Sequence, residues 1–394
     1  MDVTDLARLQ FAVTGSLHFL FVVLTLGLAP LVAIMQTRHA ISGKPVFERM
    51  TRFWGQIYVI NYALGVFTGL VMEFQFGLSW SGLTHYAGAV FGAPLAIETL
   101  VAFFLESTFL GLWIFGWNRL PKKLHLACIW LVVLTAYASA FWIMVANSFL
   151  QHPVGVRQSG DHLALTDFGA LLTNPSLVMA FPHVIGAGLF AGSFLIIGAS
   201  AYHLFRRTPE QEFFRRSLRT GVVWAFIGSN IAVGFGYAQF AFVGDIQPDK
   251  FNGAIPRMAL ENMLLIGQLV HTIVMFVLLP LLFRNLLARA RWLHPVLMIM
   301  TPLPFIAAIL GWLTREVGRQ PWLVYGKLTV ADAMSPGLTQ QMVTFSFTAF
   351  AGVLTLLAVI DYLLIARVVR RGPERADLGV AEPAEPSPAP ALAL

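Results

Sequence analysis

Seven ionisable side chains stand inside long apolar runs of this 394-residue sequence: His18, Glu73, Glu98, Glu106, His183, His271 and Glu316. An ionisable group deep in a bilayer costs about 2.5–3.5 kcal/mol even on lenient insertion scales, so such residues usually serve a function. Neutral imidazole is the commonest metal ligand, and imidazoles and carboxylates both exchange protons. These residue types therefore predict metal ligation and proton transfer inside a membrane.

Two of the carboxylates share one predicted helix, in the segment "PLAIETLVAFFLESTFLGLW". Eight residues on an ideal helix place Glu98 and Glu106 about 80° apart around the axis and about 12 Å apart along it. This spacing suits a metal ligand beside a proton-relay partner, and it also suits two hydrogen-bonded structural carboxylates. Ser107 and Thr108 either extend such a relay or bond their own backbone.

The histidines stand singly among apolar and small residues, as in "GSLHFLFVVLTLG" and "AFPHVIGAGLFAG". Small residues let a flat macrocycle approach the backbone, and they are equally common at helix contacts. From the residues alone, ligation and a packed, hydrogen-bonded imidazole both stay open for His18 and His183. The residues around His271 favour metal ligation less than those around His18 and His183 do.

Several other chemistries lack their motifs. The sequence has no HExxH and no GxxxxGK[ST], and "GLSWSG" does not match GxSxG. The single cysteine, Cys128, excludes intramolecular disulfides, Cys-ligated clusters and CxxCH haem attachment. Single His and Glu residues on different helices suit large cofactors, each held by one or two axial ligands.

The elements that must position these residues are membrane helices. The sequence is 57% hydrophobic and 12% charged, with a mean hydropathy of +0.72, whereas soluble domains carry about 25% charged residues. Apolar runs long enough to cross a bilayer predict an all-α, polytopic bundle of nine transmembrane helices within residues 1–371. The predicted spans are 10–37, 53–77, 94–117, 124–150, 180–205, 217–243, 262–284, 293–316 and 342–367.

The basic residues give the predicted orientation. Alternate loops carry 19 and 7 of the 26 lysines and arginines, and the richer side faces the cytoplasm. The N-terminus is therefore predicted outside and the C-terminus inside, and the net charge of +6 reports topology rather than nucleic-acid binding. The first span is too long for a signal peptide and is expected to remain. The Pro/Ala-rich residues 372–394 are predicted to form a disordered cytoplasmic tail.

Four segments resemble one family: "RLQFAVTGSLHFLFVVLTLG", "FGAPLAIETLVAFFLESTFLGLWIFGW", "VANSFLQHPVG" and "GWLTREVGRQPWLVYGKLTVADAMSP". They resemble subunit I of the cytochrome bd-type quinol oxidases, from about residue 5 to 370. The resemblance implies low-spin and high-spin haem b, and a haem d, or a third haem b, that reduces O2 to water. It also implies a bacterial plasma membrane location, membrane quinol as donor, cytoplasmic protons, a second membrane subunit and a small single-helix subunit.

The resemblance also assigns residues by position. It implies that His18, Glu98 and Glu316 are axial ligands of the two high-spin haems, and that His183 is a ligand of the low-spin haem. The residues implied on the proton and oxygen route are Glu98, Glu106, Ser107 and Asn147. Those implied around the haems or their propionates are Arg8, Trp312 and Arg319.

Two departures from the family pattern leave alternatives open. The long quinol loop between helices six and seven is missing, although "IPRMALE" resembles the motif QPxKMAAxE with Arg257 and Glu261 in its charged positions. Leu264 stands where the family has the Met ligand opposite His183, so that Met263, His271 or no protein ligand is expected there. Three functions therefore stay open. The first is an oxidase that takes electrons from quinol, and the second is an oxidase that takes them from another reductant. The third is a haem-binding transporter or sensor without catalytic turnover.

Overall fold

The computed structural model describes residues 2–376 and 378–379. Within them, nine helices are long and apolar enough to cross a membrane, which confirms the predicted all-α bundle. We label them α1 to α9: Val3–Ser42, Pro45–Ser79, Ser81–Phe115, Lys122–Gln151, Phe168–Arg206, Gln211–Ile246, Ala254–Leu281, Leu293–Val317 and Gln340–Arg371.

Several helices begin earlier than predicted. α3 begins at Ser81 rather than residue 94, and α5 begins at Phe168 rather than residue 180, with a break before Pro175. Pro94, where the predicted third span begins, lies inside α3, and Pro182 lies inside α5. Proline is tolerated there because neighbouring groups in a membrane bundle satisfy the freed backbone.

Two short hairpins were not predicted. β1 (Val156–Ser159) pairs with β2 (His162–Leu165) between α4 and α5, and β3 (Trp322–Val324) pairs with β4 (Leu328–Thr329) after α8. The first hairpin is tied to α3, where His85 Nε2 lies 2.9 Å from Asp161 Oδ2. Hydrogen bonds from His85 and then His162 lower the pKa of the Asp161 carboxyl.

α5 is the central helix of the bundle: 78% of its most apolar window is buried, against 11% for α9. It packs against α1 at glycines, where a Cβ added to Gly27 would lie 2.1 Å from the Gly188 carbonyl oxygen. Only glycine permits this backbone approach. The contact holds the helix of His18 against the helix of His183.

Only the first part of the predicted tail, residues 372–394, lies within the described residues. Pro373–Arg375 form a 3-10 turn, and the Leu378 carbonyl accepts a hydrogen bond from Arg52 Nη1 at 2.9 Å. Ordered structure thus extends beyond the predicted boundary at residue 371. Residue 377 and residues 380–394, where most of that prediction falls, lie outside the described residues.

Candidate functional site

A largely apolar cavity of about 560 Å³ lies among α1 to α8. Its lining includes all five predicted axial ligands: His18, Glu98, His183, Met263 and Glu316. It also includes five of the other predicted site residues: Arg8, Glu106, Asn147, Trp312 and Arg319. Helices far apart in the sequence therefore bring these groups to one space.

Both cavity histidines have one ring nitrogen fixed by a neighbour. His183 Nδ1 lies 2.7 Å from the Ala232 carbonyl oxygen, which can only accept. His18 Nδ1 lies 2.8 Å from Thr68 Oγ1, whose own proton goes to the Gly65 carbonyl at 2.7 Å. In both rings Nδ1 therefore donates, which leaves the Nε2 lone pair free for a metal.

Glu316, in the last turn of α8, belongs to a buried polar cluster. Its Oε2 accepts from Arg319 Nη2 at 2.8 Å, and its Oε1 accepts from Asn147 Nδ2 at 2.7 Å. The Glu316 and Arg319 side chains are 4% and 3% exposed, so the ion pair is strongly desolvated. These contacts fix the direction of the carboxylate at the cavity wall.

Arg315, the residue before Glu316, makes its side-chain hydrogen bonds inside the bundle. Its Nε donates to Asn147 Oδ1, and its Nη2 donates to Ser148 and Ser176 Oγ at 3.1 and 3.2 Å. The guanidinium turns inward because α4 and α5 offer neutral acceptors at this depth. Asn147 thus bridges Arg315 and Glu316.

The Glu98–Glu106 segment is not an ideal α-helix. Residues Glu98–Phe103 form a π-helical turn between two α-helical parts of α3. A wider turn changes the angle between the two carboxylates, so the ideal-helix value of about 80° does not apply. Both glutamates nevertheless line the cavity.

The two carboxylates differ in their hydrogen bonds. Ser139 Oγ donates to Glu98 Oε1 at 2.6 Å. Glu106 lies beside Tyr58, yet neither Glu106 Oε1 nor the Tyr58 hydroxyl makes a well-aligned hydrogen bond among the described residues. Glu98 is therefore held in place, whereas Glu106 keeps an oxygen free for a proton.

Four predicted residues lie outside the cavity lining. Ser107 Oγ lies 3.0 Å from the hydroxyl of Tyr62, which does line the cavity. His271 Nδ1 instead contacts Ser229 Oγ at 3.0 Å. Arg257 pairs with Glu261 at 2.9 Å, and both are largely exposed on the first turns of α7. The residues of the expected quinol motif therefore contact each other rather than the cavity.

Sequence reasoning missed Lys250, in the connection between α6 and α7. Lys250 lines the cavity, is 7% exposed, and donates from Nζ to Gln151 Oε1 at 3.0 Å and Gln247 Oε1 at 2.8 Å. Burial, and then Arg315 and Arg319, lower its pKa far below the usual range. A signal was present, because "QPDK" (Gln247 to Lys250) matches the start of QPxKMAAxE more closely than "IPRM" does.

The polar atoms of the cavity suit a haem, whose propionate groups are acidic. Arg319 Nε and Nη1 and Trp312 Nε1 are buried donors without a partner among the described residues. A Cβ added to Gly236 would lie 3.0 Å from His183 Nδ1, so glycine keeps the backbone close to this imidazole. Free imidazole nitrogens, buried carboxylates and unpaired donors together suit iron ligation and propionate binding.

Fold and site together define a class: a multi-pass helical membrane protein in which side chains able to ligate a metal and to exchange protons surround one cavity. A family model described as cytochrome bd terminal oxidase subunit I matches residues 6–255 and 252–373. The chain belongs to this family and is a terminal oxidase subunit of the respiratory chain.

Two curated relatives support the assignment. The chain is 36% identical over 441 residues to cytochrome bd ubiquinol oxidase subunit 1 of Bacillus subtilis (strain 168), covering 94% of each chain. It is 32% identical over 501 residues to cytochrome bd-II ubiquinol oxidase subunit 1 of Escherichia coli (strain K12), covering 94% of this chain and 97% of the relative.

The bd oxidase structure from Geobacillus thermodenitrificans has the same fold. It matches with a TM-score of 0.87 at 23% identity, over 94% of this chain and 99% of that chain. At this identity the likeness concerns the fold alone.

Proposed function

We propose that this chain takes electrons from membrane quinol and reduces O2 to water with protons from the cytoplasm. The observation that carries the proposal is that His18, His183, Glu98, Glu106 and Glu316 line the same cavity. Bound haems b, with haem d or a third haem b, would supply electron transfer and oxygen binding. The protein supplies ligands, polarity and proton access.

The proposed axial ligands are the side chains that present a free lone pair to the cavity. His18 and His183 present Nε2, while Glu98 and Glu316 present carboxylates fixed by hydrogen bonds. Met263 is the proposed partner of His183, because it lines the cavity whereas His271 does not. An anionic ligand stabilises ferric iron and lowers its potential.

The proposed proton path runs along α3. Reduction of O2 to water consumes four protons at one buried place, so an ordered series of exchangeable groups is required. Glu106 Oε1 is buried without a hydrogen bond among the described residues and can hold a proton. Ser107 with Tyr62 on one side, and Glu98 with Ser139 on the other, extend the series.

The proposed setting is the bacterial plasma membrane, with the N-terminus outside and the C-terminus in the cytoplasm. α7 and α9 expose large apolar side chains, including Leu265, Phe276 and Phe345. Such faces suit lipid or other membrane helices. A second membrane subunit, and a small single-helix subunit, are the proposed partners.

Oxygen consumption by the purified enzyme tests the proposal. A reduced quinol and a reduced dye that bypasses the quinol site should both support turnover. A reduced-minus-oxidised spectrum with haem extraction identifies the haems. No oxygen consumption with either donor, despite full haem loading, would contradict the oxidase proposal.

A second candidate keeps the oxygen chemistry but takes electrons from a donor other than quinol. The α6–α7 connection is only residues 247–253, and the family match falls into two pieces that meet at residues 252–255. A family segment missing at that point explains the break. Turnover with the dye but not with quinol would favour this candidate.

A further inference from the structure

The last turns of α9 and the residues after them form a groove that is rich in arginine, and we call it the α9 groove. Its charged lining consists of four arginines and one glutamate: Arg367, Arg370, Arg371, Arg375 and Glu374. All five of these side chains are exposed. The lining therefore carries a net excess of positive charge at the surface of the bundle.

Other arginines at this end of the bundle have partners within the chain. Arg52 Nη2 lies 2.9 Å from Glu48 Oε1, and its guanidinium stands 4.0 Å from the centre of the Trp117 ring. Arg216 Nη2 lies 2.6 Å from Glu212 Oε1. Among the described residues, none of the four groove arginines forms an ion pair or lies over an aromatic ring. Their charge is therefore open to an anion from outside the chain.

The chain that follows α9 is held in place, which gives the α9 groove a defined shape. Gly372 ends the helix with a φ of +76°, an angle that side chains other than glycine rarely adopt, and Arg375 follows in the 3-10 turn. Three residues further on, the Leu378 carbonyl accepts a hydrogen bond from Arg52 Nη1 at 2.9 Å. The turn is therefore fixed at both ends, and it returns Arg375 to the arginines of α9.

The α9 groove continues an apolar face of the same helix. Leu356, Leu363, Arg367 and Arg370 recur at the spacing of one helical face, and all four are exposed. From Leu356 to Arg370 this face covers about 21 Å along the helix axis. Tyr362, which also lines the groove and is 69% exposed, lies where the apolar and basic parts meet, as aromatic residues do at a membrane–water interface. One surface thus suits both an acyl chain and an anionic headgroup.

We propose that the α9 groove binds an anionic phospholipid, with its phosphate at the arginines and an acyl chain along the leucine face. Arginine suits this role because its planar fork donates two parallel hydrogen bonds to phosphate oxygens. Each basic residue beside a membrane helix raises the affinity for anionic lipid about fivefold. The inference goes beyond the proposed function, since it holds whichever haems and electron donor the oxidase uses.

The test measures the affinity of spin-labelled phosphatidylglycerol for the purified oxidase in detergent, with spin-labelled phosphatidylcholine as the lipid without net charge. We expect the parent to bind phosphatidylglycerol more tightly. Arg367→Gln combined with Arg371→Gln should weaken that binding about 25-fold, or about fivefold for each arginine, and leave phosphatidylcholine binding unchanged. Arg215→Gln combined with Arg219→Gln is the matched control, because these two arginines of α6 are exposed but lie outside the groove lining. All four side chains are exposed, so both double variants should keep the parental Tm.

Parental affinity for phosphatidylglycerol in the groove variant would overturn the inference. An equal loss in the control variant would also overturn it, because the attraction would then be diffuse, and so would equal binding of the two lipids by the parent. A competing occupant is the acidic segment that follows in the sequence, with Glu382 and Glu385. A chain ending at Gly379 should bind the lipid as the full chain does, and tighter binding by the shortened chain would assign the groove to that segment instead.

Discussion

At the scale of single residues, the most informative atoms are those whose role as hydrogen-bond donor or acceptor is fixed by their other contacts. The Thr68 proton is committed to the Gly65 carbonyl, so His18 Nδ1 must donate and its Nε2 must be free. The Ala232 carbonyl imposes the same tautomer on His183. Neighbouring helices thus leave Nε2 of both imidazoles available to a metal.

The partner of His183 can be tested by substitution. We expect Met263→Ala to remove the low-spin band from the reduced spectrum, because the thioether lines the cavity beside Gly311. His271→Ala, which changes a residue outside the lining, should leave that band unchanged. An unchanged band in Met263→Ala would exclude Met263 as the ligand.

Glu106 provides a test of proton delivery. Glu106→Gln keeps the size of the side chain but removes its exchangeable proton, so we expect oxygen consumption to fall by at least about 10²-fold. Glu106→Asp should retain part of the activity. Optical spectra of both variants should match the parent, and a lost haem would instead indicate a structural role for Glu106.

Sequence reasoning identified the ionisable residues that interrupt apolar runs, because a charge in such a run is conspicuous. It missed Lys250 for the opposite reason: a lysine in a short polar connection resembles a solvent-exposed loop residue. Burial of Lys250 depends on Gln151 and Gln247, which are distant from each other in the chain. That contact exists only after the bundle has formed.

At the scale of elements, the number and order of the helices follow from hydropathy, because a bilayer leaves the backbone few alternatives. The helix ends do not follow, since α3 begins at Ser81 and α5 at Phe168, well before the predicted starts at residues 94 and 180. The π-helical turn at Glu98–Phe103 also has no signature in the residues. It changes the geometry of the two carboxylates without changing their order.

The α1–α5 contact gives an element-scale prediction. A methyl group at Gly27 would overlap the Gly188 carbonyl, so Gly27→Ala should force the helices apart at a cost of about 1–3 kcal/mol. Gly234→Ala is the control, because a Cβ there meets nothing within 4 Å. The apparent Tm in detergent should fall for Gly27→Ala alone, and equal values for the two variants would refute the packing argument.

At the scale of the whole molecule, the proposed orientation can be tested with engineered cysteines. Cys128, the only cysteine of the sequence, is buried, so labelling at new sites meets little background. Thr166→Cys, after the first hairpin, should react with an impermeant thiol reagent in intact cells. Arg119→Cys, between α3 and α4, should react only after permeabilisation, and the reverse pattern would invert the topology.

The central place of α5 has a consequence for biosynthesis. Its partner α1 is complete at Ser42, whereas α5 ends at Arg206, and synthesis at about 5–20 residues per second separates them by roughly 8–33 s. During that interval His18, Glu98 and Glu106 lie in the membrane without their central partner. We expect a chain stopped after Gln151 to be degraded faster in pulse–chase than one stopped after Arg206; equal lifetimes would show that the earlier helices persist without α5.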